Sequence, residues 1–245
     1  MEFLAHPANV FPKEFTLENY KNMFDSSMFN LPLLFGNSTY YTVICVFVTL
    51  LNAVVGAYVF SRGDFPLKKA LFAMYSSLIF ISVGSISIYP TFDVLEFFNM
   101  PKSLNGLIIV KLFSIPVVSI FLVKGYIDFL PKELDEAAEI DGCGFIAILF
   151  IILMPLLKPI IATVIILSFK GIWNEYLMPA IFTLAKPEQK TIMVALIDMK
   201  NSSEGATSWA LMLAASSVAL LPILITFVCC NKYFVKGLSE GAIKG

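Results

Sequence analysis

Two stretches of this chain carry residues whose types and spacing could do chemistry. The first runs Pro131-Lys-Glu-Leu-Asp-Glu-Ala-Ala-Glu-Ile-Asp-Gly142 and holds five carboxylates between Glu133 and Asp141. Proline ahead of a first turn rich in acids favours a helix start, because both suit free N–H groups and the positive end of the helix dipole. Gly142 permits the turn that ends the helix. On a period of about 3.6 residues Leu134, Ala137, Ala138 and Asp141 share a face, with Glu133, Glu136 and Ile140 beside them. Two readings fit this pattern. It is a solvated helix whose charges suit its own dipole, or a docking helix whose small alanines admit a partner's backbone and whose acids suit a basic groove.

The second stretch contains Lys170, Trp173, Asn174, Glu175 and Tyr176. Lys170 and Asn174 are four apart and share a helix face, with Glu175 slightly round from it. Aromatic rings beside amide and acid groups are the chemistry that binds sugars, since rings stack on the apolar sugar face while polar groups bond its hydroxyls. The same residues also fit a structural pair with interfacial anchors. Nothing else suggests a catalytic or metal site. His6 is the only histidine, and Cys45, Cys143, Cys229 and Cys230 have neither metal nor redox spacing. A phosphate loop of the form Gly-x-x-x-x-Gly-Lys-Ser/Thr is absent, so the chain shows no ATP site and no cofactor of its own.

The elements that must position these residues follow from charge and hydropathy. Hydrophobic residues make up 58% of the chain, charged residues 14%, and the mean hydropathy is +0.82. Soluble domains carry about a quarter charged residues. No charge occurs from Ser26 to Ser61, from Ala70 to Phe92, or from Gly205 to Asn231. Each window exceeds the roughly 20 apolar residues that cross a bilayer. The fold class is therefore all-α, a polytopic transmembrane helix bundle. Net charge is −1 with no basic stripe, which argues against nucleic acid as a partner.

Five spans are expected, near 37–61, 70–92, 104–127, 156–183 and 208–231. Lysine and arginine gather on the cytoplasmic side of short loops. Arg62, Lys68 and Lys69 lie in the first loop, Lys124 and Lys132 flank the second, and Lys232, Lys236 and Lys244 lie in the tail. Five spans with an external N-terminus put all of these in the cytoplasm, whereas a sixth span within 142–185 would put the basic tail outside. This divides the chain into an external N-terminal segment, 1–36, and a transmembrane domain, 37–245. The cytoplasmic loop covers about 128–155. Residues 93–103 and 184–207 are external. Lys111, Lys170 and Glu175 are costly in hydrocarbon and should face protein or water.

The order Glu136-Ala137-Ala138, with Gly142 four residues on and Met154-Pro155 beyond, resembles the EAA loop of ABC importer permeases. The surrounding sequence is similar to the carbohydrate branch of that family, the maltose-type inner permease (MalG-like). Supporting matches are Phe11-Pro-Lys-Glu-Phe-Thr-Leu-Glu-Asn-Tyr20, Pro155-Leu-Leu-Lys-Pro159, Trp173-Asn-Glu-Tyr-Leu177, Tyr233-Phe-Val-Lys-Gly237 and Gly241-Ala-Ile-Lys-Gly245. The resemblance covers nearly the whole chain. It departs in one respect: the family has six spans, one of them ahead of the Phe11–Tyr20 loop, where five are visible here.

The resemblance implies the type I ABC importer permease fold and a set of roles. Glu133, Glu136, Ala137, Ala138, Asp141 and Gly142 would couple to an ATPase. Gly241, Ala242, Ile243, Lys244 and Gly245 would reach between two ATPase subunits, which form a homodimer or heterodimer and hold ATP and Mg. A second, homologous permease and an extracellular or periplasmic solute-binding protein complete the assembly, with 184–207 approaching the binding protein. Lys170, Trp173, Asn174, Glu175 and Tyr176 are candidates for the path of the carbohydrate. The setting implied is a bacterial plasma membrane, with the C-terminus in the cytoplasm. The chain would be a transporter subunit and not an enzyme.

Two other classes compete. A secondary transporter or channel should show paired broken helices or a ring of intramembrane charge. A membrane enzyme should show paired acidic motifs or histidine ligands. The sequence displays neither pattern.

Overall fold

A computed structural model describes residues 16–25, 29–81, 84–201 and 205–242, and among these there is helix and no strand. α1, Glu18–Asp25, starts where Thr16 Oγ1 accepts from the Glu18 N–H at 3.1 Å, a side-chain bond to a free helix donor. α2, Leu31–Arg62, is capped in the same way by Asn30, whose side chain accepts from the Leu33 N–H, and has Pro32 in its first turn. It therefore begins six residues inside the segment expected to be an external extension. At its other end Lys68 Nζ donates to the carbonyls of Ser61 and Gly63 at 2.9 and 2.8 Å, closing acceptors the helix leaves open.

α2 is the axis of the bundle. It packs along α6, Val117–Phe129, and α9, Lys158–Trp173, and α9 in turn packs on α12, Gly205–Ala242. The last turns of α2 contribute Ala53, Val54, Ala57 and Tyr58 to one apolar cluster, and its first turn contributes Leu31 and Leu34 to another. Gly56 faces α6 closely: a methyl group there would meet the Ile120 side chain at 3.1 Å.

Among the described residues, three segments are long and apolar enough to cross a membrane: Leu31–Arg62, Leu104–Phe129 and Trp209–Lys232. A bent pair, Phe145–Leu156 (α8) with Lys158–Trp173, makes a fourth. The bend is 83°. It falls at Leu157, between Pro155 and Pro159, where the prolines withhold backbone donors. The expected span 156–183 accordingly ends at Trp173, and Leu177–Phe182 (α10) is a separate short helix.

The expected span 70–92 is not one continuous helix among the described residues. α3, Lys68–Ser77, gives way to a tight turn at Leu78–Phe80, a second tight turn covers Gly84–Ser87, and α4, Ile88–Phe97, runs on into what was expected as an external loop. Serine side chains compete for backbone groups and weaken a helix interior, and this stretch holds Ser76, Ser77, Ser82, Ser85 and Ser87 with Gly84. Hydropathy registers the apolar run but not this local competition.

Between α10 and α12 the expected external loop is largely ordered. α11, Ile192–Asn201, buries Ile192, Val194 and Leu196. Asn37 Nδ2 donates to the carbonyls of Glu188 and Lys190 at 2.7 and 3.0 Å, tying the loop to α2.

Candidate functional site

The acidic run forms a helix, α7, Glu133–Ile140. Its end is closed by two bonds, Gly142 N–H to Glu139 O and Cys143 N–H to Ala138 O, both 2.9 Å. These are the paired bonds of a Schellman turn, which requires left-handed backbone at the residue after the cap. Gly142 supplies it with φ +85°. The chain then turns into α8, so two short helices meet at a glycine corner.

α7 is fastened to the bundle in two ways. Ala138 is buried in the cluster that also holds Ala57, Val123, Ile127, Ile148, Leu153 and Leu157. Asp135 Oδ2 lies 2.5 Å from Arg62 Nε, with side-chain exposures of 13% and 8%. The contact is ionic and not a linear hydrogen bond, and Arg62 Nη2 also donates to Leu130 O at 2.9 Å. Tyr58 donates to Phe145 O at 3.0 Å, and the two rings pack at 4.4 Å, binding the start of α8 to α2. A polar groove of about 340 Å³ runs beside these groups, lined among others by Arg62, Lys68, Lys132, Glu136 and Glu139.

The structure divides the expected coupling residues by face. Glu133, Glu136, Ala137, Asp141 and Gly142 are exposed, whereas Ala138 points inward. Ile140 stands out at 87% exposure. Of the two alanines, only Ala137 is open to a partner. In the tail, Gly241 and Ala242 end α12, while Ile243, Lys244 and Gly245 lie outside the described residues.

The second group of residues is split more sharply. Trp173 is taken into the core: its Nε1 donates to Ala219 O at 3.0 Å, and its ring stacks on Phe169 and meets Phe35 edge-on. Trp173 thus packs between α9 and α12. Asn174 Nδ2 donates to the Lys170 carbonyl, closing the end of α9, and both side chains are exposed. Tyr176 is half-buried. Of the five, Glu175 is the one that meets polar side chains across the bundle. Its Oε2 accepts from Tyr41 at 2.9 Å and lies 3.8 Å from Lys111 Nζ.

Four residues central to these sites, Arg62, Asp135, Tyr58 and Tyr41, were absent from the sequence-derived site set. Arg62 carried a readable signal, as the only arginine, placed where a long apolar run ends.

Residues 38–239 match the family of binding-protein-dependent transport system inner membrane components. The chain belongs to this family. Among related permeases, the melibiose/raffinose/stachyose import permease MelC of Bacillus subtilis is 35% identical, over 96% of this chain and 84% of that one. The maltodextrin permease MdxG of the same organism is 32% identical, over 96% and 83%. The sulfoquinovosyl glycerol permease SmoH of Agrobacterium fabrum is 29% identical, over 100% and 84%. A crystal structure of a bacterial ABC transporter that imports alginate has the same fold, with a TM-score of 0.73 at 22% identity over 91% of this chain and 81% of that one. The permease is thus a multi-pass inner-membrane component of an ABC importer with the carbohydrate-type permease fold.

Proposed function

We propose that this permease carries an uncharged sugar or oligosaccharide into a bacterial cell, driven by a separate ATPase that seats on α7. One observation carries the coupling role: α7 presents Glu133, Glu136, Ala137, Ile140 and Asp141 outward while Ala138 and Asp135 lock it to the helices that cross the membrane. A push on α7 therefore reaches α2 and α8 without a flexible link. The relatives named for melibiose, raffinose, stachyose and maltodextrin support the substrate class.

In this reading α7 and the C-terminal tail, Gly241–Gly245, lie in the cytoplasm, as the placement of Arg62, Lys68, Lys69, Lys124 and Lys132 supports. ATP and Mg are held by the partner ATPase. Its closure draws α7 inward, and the spans rock as rigid bodies between inward- and outward-facing states. A second permease completes the passage, and a solute-binding protein delivers sugar at the face carrying α11.

Co-purification tests the proposal. The tagged permease, extracted from its own host in mild detergent, is expected to bring an ATPase and a second permease, and vesicles holding the complex should take up sugar only with ATP. Isolation as a self-sufficient, ATP-independent transporter would sink it.

A further inference from the structure

The apolar segment Leu104–Phe129 is not one helix. α5, Leu104–Leu112, stops short of α6, and Phe113–Pro116 between them is unwound. Pro116 cannot continue a helical bond from its own nitrogen. Asn52 of α2 fills the gap from the side, its Nδ2 donating to the carbonyls of Leu112 and Ser114 at 3.0 and 2.9 Å. Non-helical backbone at membrane depth is tolerated only inside protein or against water. Here the break borders a cavity of about 650 Å³, a size that holds small solutes.

The wall of that cavity carries polar groups set in a larger apolar lining. Thr49, Ser114, Ser119 and Ser168 line it, with Lys111 and Glu175 as its charged groups among the described residues. An ionisable residue inside a membrane segment marks a pathway more often than a packing accident. The charges of Lys111 and Glu175 oppose each other at 3.8 Å and cancel, leaving hydroxyl groups as the remaining recognition chemistry. Trp173, Lys170, Asn174 and Tyr176 do not line this space.

We propose that the break at 113–116, with Lys111, Glu175, Thr49, Ser119 and Ser168, forms this subunit's wall of a water-filled passage and contacts an uncharged, polyhydroxylated solute there. The proposal rests on the importer reading and adds where, and with what chemistry, the chain meets its cargo. A net-neutral wall attracts neither anionic nor cationic sugars.

The test is thiol accessibility in the assembled importer in native membranes. Ser119→Cys and Ser168→Cys are exposed to a cationic, membrane-impermeant methanethiosulfonate, and labelling is read site by site by peptide mass spectrometry. Leu224→Cys, on an exposed apolar face of α12, and buried Ala53→Cys are the references. Both wall positions should react about ten times faster than either reference, because only a hydrated thiol forms the reactive thiolate. Saturating raffinose or maltotriose should slow Ser168→Cys about twofold or more, in proportion to the bound fraction, and trigalacturonate should not. Wall positions reacting no faster than Leu224→Cys would overturn the passage. Protection by trigalacturonate alone would overturn the solute class, and protection by no sugar would overturn the contact. Co-purification of the ATPase and second permease is scored on the same samples. Its loss refutes the importer reading and leaves the accessibility result standing.

Discussion

Arg62 Nε and Asp135 Oδ2, 2.5 Å apart, join the end of α2 to the first turn of the acidic helix. Both side chains are largely withdrawn from solvent, so each is the other's compensation. Removing one partner of a buried pair strands the other and costs about 3–5 kcal/mol. Asp135→Ala should lower the thermal midpoint of the purified complex and abolish ATP-driven uptake, and Arg62→Met combined with Asp135→Leu should recover the midpoint without recovering uptake. A double variant that transports at the parental rate would show that the ion pair plays no part in coupling.

Gly142 is a second point of leverage. Its φ of +85° is strained for any side chain, by roughly 1–2 kcal/mol. Proline there would also remove the N–H that bonds Glu139 O. Gly142→Pro should uncouple ATP hydrolysis from uptake while the protein still inserts into the membrane, and Gly142→Ala should do so partially. Parallel assays of phosphate release and sugar uptake decide this, with normal transport by both variants as the contrary result.

Glu136 tests charge without disturbing packing. It is exposed on α7, and substitutions at such sites shift stability by about 0.5 kcal/mol or less. Glu136→Lys is expected to weaken retention of the ATPase on a tagged permease and reduce uptake, with an unchanged melting profile. Full retention would remove the acidic face from the docking surface.

Asn52→Leu should destabilise the protein, since two carbonyls at the α5–α6 break lose their donor. An acceptor left without any donor costs about 1–3 kcal/mol. The midpoint of thermal aggregation in detergent is the readout, and an unaltered midpoint would mean that water replaces the amide.

Trp173 separates packing from solute contact. Trp173→Ala should cost about 3–5 kcal/mol, as for other large core aromatics. Trp173→Phe, which keeps the ring against Phe169 and loses only the bond to Ala219 O, should transport at close to the parental rate. A steep rise in KM for sugar in Trp173→Phe at unchanged stability would place this residue in the path.

The parts legible in the sequence were those written in contiguous residues. The helix over 133–140, its glycine stop at 142 and the run of apolar helices all follow from period, cap chemistry and hydropathy, which are local. The family was readable for the same reason, from short ordered motifs. What the sequence hid depends on the meeting of distant segments. Lys111 and Glu175 were each recognisable as costly in a membrane, yet nothing local says they share a cavity. Asp135 looked like one acid among five, and only the position of Arg62 distinguishes it. Trp173 beside Asn174 and Glu175 suggested sugar, but successive residues leave a helix end in different directions, and the indole went to α12. Likewise the apolar stretch 70–92 satisfied the length of a span, yet its described residues fall into short helices joined by tight turns.

Ala138 shares its buried cluster with residues from α2, α6, α8 and α9. The acidic helix, although it protrudes, is therefore tied to the packing of the adjoining bundle, and its opening is expected to be coupled to that packing. Hydrogen exchange at Glu139 and Ile140 should thus follow the slow rate of the membrane core, far from the seconds expected of a surface loop. In the coupling role proposed for it, such stiffness would carry motion applied at its tip on to the membrane with little loss.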